Sequence, residues 1–178
     1  MPPLSLPVAL LGAVVSGKPN FFTIVWFNML QDEPPLIGAG MSKTHHTRKG
    51  INENKTFSIN IPSSRMAAVV DYCGLHSGSE VDKSCLFEVF YGELETAPLI
   101  KECALNMECR LVDSKEFQTT VLIIGEIVEA YCDKQYLTQN KPDYRKMDPL
   151  MFFMPEGPYF KTGEAVARAF EVGKSFKK

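Results

Sequence analysis

His45 and His46 stand side by side in "MSKTHHTRKGI", residues 41–51, flanked by the hydroxyls of Ser42, Thr44 and Thr47 and the cations Lys43, Arg48 and Lys49. No Asp or Glu falls between residues 34 and 52. Three chemistries draw on such residues: a metal centre, a grip on nucleic-acid backbone, and a seat for one compact anion. Neighbouring side chains point to opposite faces of a strand and diverge by about 100° on a helix. The two imidazoles therefore do not converge on one metal. His76 is a third candidate, but no carboxylate or cysteine at ligand spacing completes a set. No metal ligand is assigned. Nucleic acid calls for a broad basic face, whereas this chain of 178 residues carries a net charge of −2. The basic content is local, and its target is small.

An anion seat fits the order of residues better. A strand ending in small residues runs into hydroxyls, then cations, then a helix start whose free N–H groups favour negative charge. The alternative is a solvated polar helix start, and this segment alone does not separate the two. The strand before it adds a second element. "NFFTIVWFN" puts Thr23, Val25 and Phe27 on one face, and Phe22, Ile24 and Trp26 on the other. An aromatic-bearing strand beside the small-residue strand "LIGAGMS" walls a flat slot, so a phosphate seat next to it suggests a nucleotide-like flavin; core packing is the alternative for any one aromatic. A phosphate-loop match, "GAVVSGKP", fails because Pro19 stands where Ser or Thr holds magnesium and a strand follows instead of a helix. There is no G-x-G-x-x-G, so a Rossmann site is unsupported. No spacing favours a Cys–His nucleophile, and no catalytic residue is assigned.

The elements that must position these groups are mostly strands. Residues 7–15 ("PVALLGAVV") read as a buried strand, 21–27 as a second and 36–42 as a third. "THHTRKGINENK" reads as a short polar helix with Thr44 or Thr47 at its start, and "TFSINIP" as a returning strand. Residues 63–75 have helical spacing; a loop, "HSGSEVDKS", leads to a second short helix. "ALNMECRLVDS" and "FQTTVLIIGEIVEAYCD" form a long hairpin, and "GEAVARAF" near the end predicts a helix. About six strands joined by turns predict one domain over residues 1–178. Its expected architecture is mainly β (α+β): a small antiparallel barrel with short inserted helices. The five cysteines are odd in number and contain no C-x-x-C pair, which reads as reduced thiols in a cytoplasmic protein. The apolar start lacks a basic region and is too short to span a bilayer, so no membrane association is expected.

The run "GKPNFFTIVWFNMLQDEPPLIGAGMSKTHHTRKGINENKTFSINIP" resembles the flavin reductase-like, FMN-binding split-barrel family. "CGLHSGSEVDKSCLFEVFYGELETAPLIKECALNMECRLV", residues 73–112, is similar to the flavoredoxin branch, and "LIIGEIVEAY" resembles the closing strand of the barrel. The resemblance implies a six-stranded antiparallel Greek-key split barrel that binds FMN non-covalently at a homodimer interface. It implies that Thr23, Ile24, Val25 and Trp26 line the ring and that Ala39, Gly40, Met41 and Ser42 run under the ribityl chain. Ser42, Thr44, His46 and Thr47 would hold the phosphate, Asn60 and Ile61 would lie against the cofactor, and Lys83, from its own or the partner subunit, would reach the flavin edge near N1 and O2. Tyr159 or Phe160 would cover the ring. Which of Lys43, Arg48 and Lys49 meets the phosphate stays open. Two functions follow: a flavoredoxin-type carrier passing electrons between a redox partner and FMN, or an NAD(P)H-dependent flavin or ferric reductase. In both the redox chemistry belongs to the flavin, which accounts for the absence of acid–base residues in obvious pairs.

Overall fold

The computed structural model describes residues 3–155 and 157–176. In chain order, β1 (Leu4–Pro7), β2 (Ala9–Val15), β3 (Lys18–Ile24), β4 (Phe27–Gln31) and β5 (Leu36–Ser42) lead into α1 (Thr47–Asn54). β6 (Thr56–Ile61) and α2 (Ala67–Leu75) precede a two-residue ladder of β7 (Val89–Phe90) with β8 (Leu99–Ile100). The long hairpin is β9 (Leu105–Glu116) with β10 (Thr120–Cys132). A small ladder, β11 (Leu137–Thr138) with β12 (Lys141–Pro142), and α3 (Tyr144–Met147) lead to β13 (Leu150–Met154) and β14 (Tyr159–Lys161). Seven strands, one more than expected, make an antiparallel sheet in the order β3-β2-β6-β9-β10-β5-β4, and β1-β13-β14 form a separate three-stranded sheet.

The two edges of the large sheet, β3 and β4, are consecutive in the chain and separated only by Val25 and Trp26. Laid flat, seven strands would put those edges about 29 Å apart. The three Cα–Cα steps from Ile24 to Phe27 span at most about 11 Å. The sheet must roll up, and it does so without a β3–β4 ladder, which leaves a seam. The expected single strand over residues 21–27 is therefore two strands broken at Trp26. The same reasoning explains the start, where Val8 separates β1 from β2 by hydrogen-bonding through its N–H to Leu150 O.

Alternation along the strands supplies two cores. Ala9, Leu11 and Ala13 of β2, Phe22 and Ile24 of β3, Ile37, Ala39 and Met41 of β5, and Phe57 and Ile59 of β6 fill the rolled sheet. The opposite face, with Leu10 and Phe21, packs under α2 through Val70 and Cys73. α1 carries the chain across the barrel end from β5 to β6 and plugs it with Ile51, which is wholly buried. Among the described residues no helix is long and apolar enough to cross a membrane. Two expectations do not hold. Residues 84–88 form turns and bends rather than a second short helix, and "GEAVARAF" is exposed and without regular structure up to a turn at residues 169–171, followed by a 3-10 turn at Val172–Ser175. Its helical pattern has no body surface to pack on, and packing of an apolar face is where short helices gain most of their stability.

Candidate functional site

The seam opens into a continuous trench. Its apolar half is a groove of about 400 Å³ walled by Phe22, Thr23, Ile24, Val25 and Trp26 on one side and Gly40, Met41 and Ser42 on the other, with Thr119 and Thr120 at the hairpin turn. Phe22, Thr23 and His45 are shared with a polar corner of about 220 Å³ between α1 and the end of α2. That corner holds Asn20, Thr44, His46, Thr47, Gly78 and Lys83, and it continues into an outer chamber of about 430 Å³ beside Lys18 and Asp82.

Backbone pairing sets the groove. Gly40 N–H donates to Trp26 O at 2.7 Å, which holds the break between β3 and β4 against β5. The Trp26 indole N–H reaches Met154 Sδ at 3.4 Å, so a half-exposed ring is pinned from β13. Thr23 Oγ1 donates to Val70 O, tying the groove wall to α2. On the far wall Ser42 and Thr44 share a hydroxyl contact of 2.9 Å just before α1.

The corner is built from buried polar groups. Asn20, a buried amide between Pro19 and Phe21 of β3, donates through Nδ2 to Thr47 Oγ1 at 2.6 Å. The threonine oxygen accepts there, so its own proton is free to point elsewhere. Gly78 presses on the same amide: a Cβ at 78 would come within 2.0 Å of Asn20 Oδ1. Lys83 is 2% exposed and donates to Phe21 O at 3.0 Å and Cys73 O at 2.9 Å. Its third N–H has no recorded partner among the described residues. Burial pulls the Lys83 ammonium below its ordinary range. His45 stacks on Phe22 at 4.4 Å between centroids. The Nδ1 atoms of both His45 and His46 are buried without a hydrogen-bond partner. Burial first and Lys83 second lower the His45 pKa; for His46 the order is burial, Lys49, Lys83.

The sequence-derived candidates divide accordingly. Thr23, Ile24, Val25, Trp26, Gly40, Met41 and Ser42 line the groove, and Thr44, His46, Thr47 and Lys83 line the corner. Lys83 thus stands at the polar end and not at the groove where the ring edge was expected. Ala39 faces the barrel interior. Asn60 is wholly buried with its amide engaged by Leu10 O, Ser58 Oγ and Ile100 N, and neither it nor Ile61 lines the trench. Tyr159 donates its hydroxyl to Asp71 Oδ1 at 3.0 Å and Phe160 lines none of the three spaces. Lys43 and Arg48 both pair with Glu116 on the β9–β10 turn, and Lys49 lines no part of the trench. The cation in the corner is Lys83, from a different part of the chain. Asn20, Gly78, Thr119 and Thr120 were missed as site residues; the lone amide of β3 was the only local signal for any of them.

Chemically, the trench suits a flat apolar body with a small anionic end. Two unpartnered imidazole nitrogens, a buried ammonium and a threonine hydroxyl surround the corner; the groove offers apolar walls and main-chain groups. Burial pushes the Cys73 thiol up to about 11, so it is no nucleophile at neutral pH. Among the described residues no group of three or more His, Cys, Asp or Glu is placed to hold a metal.

Residues 1–155 match the flavin reductase like domain. A flavoredoxin from Methanosarcina acetivorans has 52% identity and a TM-score of 0.94 over 96% of this chain and 92% of that one. Flavoredoxin of Desulfovibrio vulgaris (Miyazaki F) has 31% identity and a TM-score of 0.89, covering 95% and 93%. An FMN-binding protein from Thermus thermophilus has 25% identity and a TM-score of 0.81, covering 93% and 90%.

Proposed function

This chain belongs to the flavin reductase-like family, and we propose that it works as a flavoredoxin-type carrier, holding FMN non-covalently and passing electrons between redox partners. The observation that carries this reading is the joining of an apolar groove to a corner that concentrates buried donors around one ammonium. The residues fit the group. A phosphomonoester in the corner would accept from the Lys83 N–H, the Thr47 hydroxyl and, in the Nδ1–H tautomer, the imidazoles of His45 and His46, each of which is otherwise a buried polar group with less than its full complement of bonds. Ser42 and Thr44 sit where the groove meets the corner and suit the hydroxylated chain of the cofactor. Trp26, Thr23 and the backbone of Gly40 and Met41 flank the ring.

Bound FMN supplies reversible one- and two-electron chemistry at its ring. The chain's own part is positional. Asn20 orients the Thr47 hydroxyl, Lys83 ties β3 to α2 while presenting charge, and Met154 holds the Trp26 indole at the groove mouth.

The molecule is proposed to act as a homodimer with the flavin near the interface. Trp26 at the groove, Met29 and Leu30 on β4, Leu4 on β1 and Phe153 on β13 are all substantially exposed, the kind of apolar surface that marks association. The test is spectroscopic. The purified protein, or flavin-free protein after FMN is added, is expected to show a bound-flavin absorption band, and anaerobic NADH or NADPH is expected to leave that band intact on the seconds-to-minutes scale. Rapid bleaching would assign a reductase instead, and protein that stays colourless with FMN would remove the cofactor reading.

A further inference from the structure

Residues 162–176 leave the body after β14 and do not return to it. Every residue from 163 to 176 is exposed. Among the described residues, every hydrogen bond and ion pair of the segment closes within it: Glu171 and Val172 N–H on Arg168 O, Lys174 N–H on Glu171 O, Phe176 N–H on Gly173 O, Ser175 Oγ on Val172 O, and Arg168 with Glu171 at 3.5 Å. Its side chains are nonetheless those of a covered segment. Val166 is 101% exposed, Phe170 95%, Phe176 80% and Val172 59%.

The total surface points the same way. A compact monomer of 19.9 kDa exposes about 8,700 Å², and this chain exposes 10831 Å². The excess, roughly 2,000 Å² by that scaling, exceeds the share that each copy contributes to a standard interface, about 800 Å². The body offers a matching surface. β4 is an edge of the large sheet with no strand on its outer side among the described residues, and Met29 and Leu30 on it are about half exposed, in the same part of the chain as Trp26. An uncovered apolar edge strand is an association hazard that folded proteins ordinarily cover.

We propose that this C-terminal arm crosses to a second copy of the chain and lies along its β4 edge, while that copy's arm does the same in return. Glu164 and Glu171 balance Arg168 and Lys174 over residues 162–176, with Lys177 and Lys178 after them in the sequence; a second copy is favoured because it carries the exposed apolar edge on β4 that the arm's apolar side chains suit. Reciprocal exchange also covers both apolar surfaces with one two-fold contact. The arm's apolar groups then complete the outer wall of the groove beside Trp26, so each flavin is enclosed by two chains. That last consequence rests on the flavin reading above; the exchange itself does not.

The experiment is photo-crosslinking of the full chain with p-benzoylphenylalanine replacing Phe170, using an equal mixture of ¹⁴N- and ¹⁵N-labelled chains equilibrated before irradiation. The expected product joins the arm peptide of one label to the peptide containing Trp26 to Gln31 of the other. Crosslinks found only within one label, or only to other surfaces, overturn the proposal, as does a full-length chain that sediments as a monomer at tens of micromolar. A second measurement uses Val166→Asp with Phe170→Asp, whose side chains touch nothing in the protomer. The pair is expected to weaken the dimer at least tenfold and flavin affinity severalfold; an unchanged dimer overturns the exchange. A full-length chain that crosslinks as expected but stays colourless with FMN removes the flavin reading and leaves the arm in place.

Discussion

Lys83 shares its ammonium between the carbonyls of Phe21 and Cys73 and keeps one N–H for the corner, so its loss acts twice. Lys83→Met leaves two buried carbonyls without a donor, at about 1–3 kcal/mol each, and removes the cation facing the phosphate. Chemical denaturation is expected to show lower stability, and FMN titration at least a tenfold weaker affinity. Asn20→Ala is expected to weaken FMN less, since the Thr47 hydroxyl stays but loses the partner that orients it. The histidines give a pH dependence of defined sign. With both pKa values lowered in the folded chain, the unfolded chain binds more protons as pH falls through the ordinary imidazole value of about 6.5. The flavin-free protein therefore loses stability below that pH, and His45→Phe with His46→Gln is expected to flatten the slope in melts between pH 7.5 and 5.5. At this scale the sequence was half legible. The hydroxyls and His46 stand together in one segment and could be read there. Asn20 and Lys83 reach the corner only through the fold, 27 residues before and 36 after Thr47 in the chain, with no local pattern to announce them.

α1 is the element that seats the corner, and Ile51 holds it there. Ile51 is wholly buried against the barrel end, and Ile51→Ala is expected to cost about 2–5 kcal/mol and to loosen the His46–Thr47 turn, read as faster hydrogen exchange along α1. Gly78, on the loop after α2, packs instead on the Asn20 amide of β3. Gly78→Ala puts a carbon where Asn20 Oδ1 lies, and overpacking of this sort costs about 1–3 kcal/mol; a weaker FMN affinity with little change in the far-UV spectrum is the expected result. Legibility at this scale followed packing. "LIGAGMS" was read correctly from its run of apolar and small residues and "TFSINIP" from its alternation of apolar and polar residues, the polar positions Thr56, Ser58 and Asn60 being buried as well. "FFTIVWF" was read as one strand because nothing local marks the point where the chain passes from one sheet edge to the other. "GEAVARAF" was read as a helix because its spacing is helical, yet no part of the protomer receives that face.

The whole molecule is a sheet rolled until its edges nearly meet, and the seam that remains is the binding trench. The fold class was legible from strand density and short turns, but the seam is a property of closure and appears only when β3 and β4 are seen to be joined by two residues. The trench has two ends of different chemistry, and the account stands on the claim that the polar end grips a phosphate. Charge-assisted hydrogen bonds contribute about 1.5–3 kcal/mol each, so two of them retained on binding separate a phosphorylated from an unphosphorylated flavin by about two orders of magnitude or more. The most direct measurement is a fluorescence titration of flavin-free protein with FMN and, separately, with riboflavin. FMN is predicted to bind at least a hundredfold more tightly, with that margin shrinking in Lys83→Met. Equal affinities for the two flavins would contradict the account.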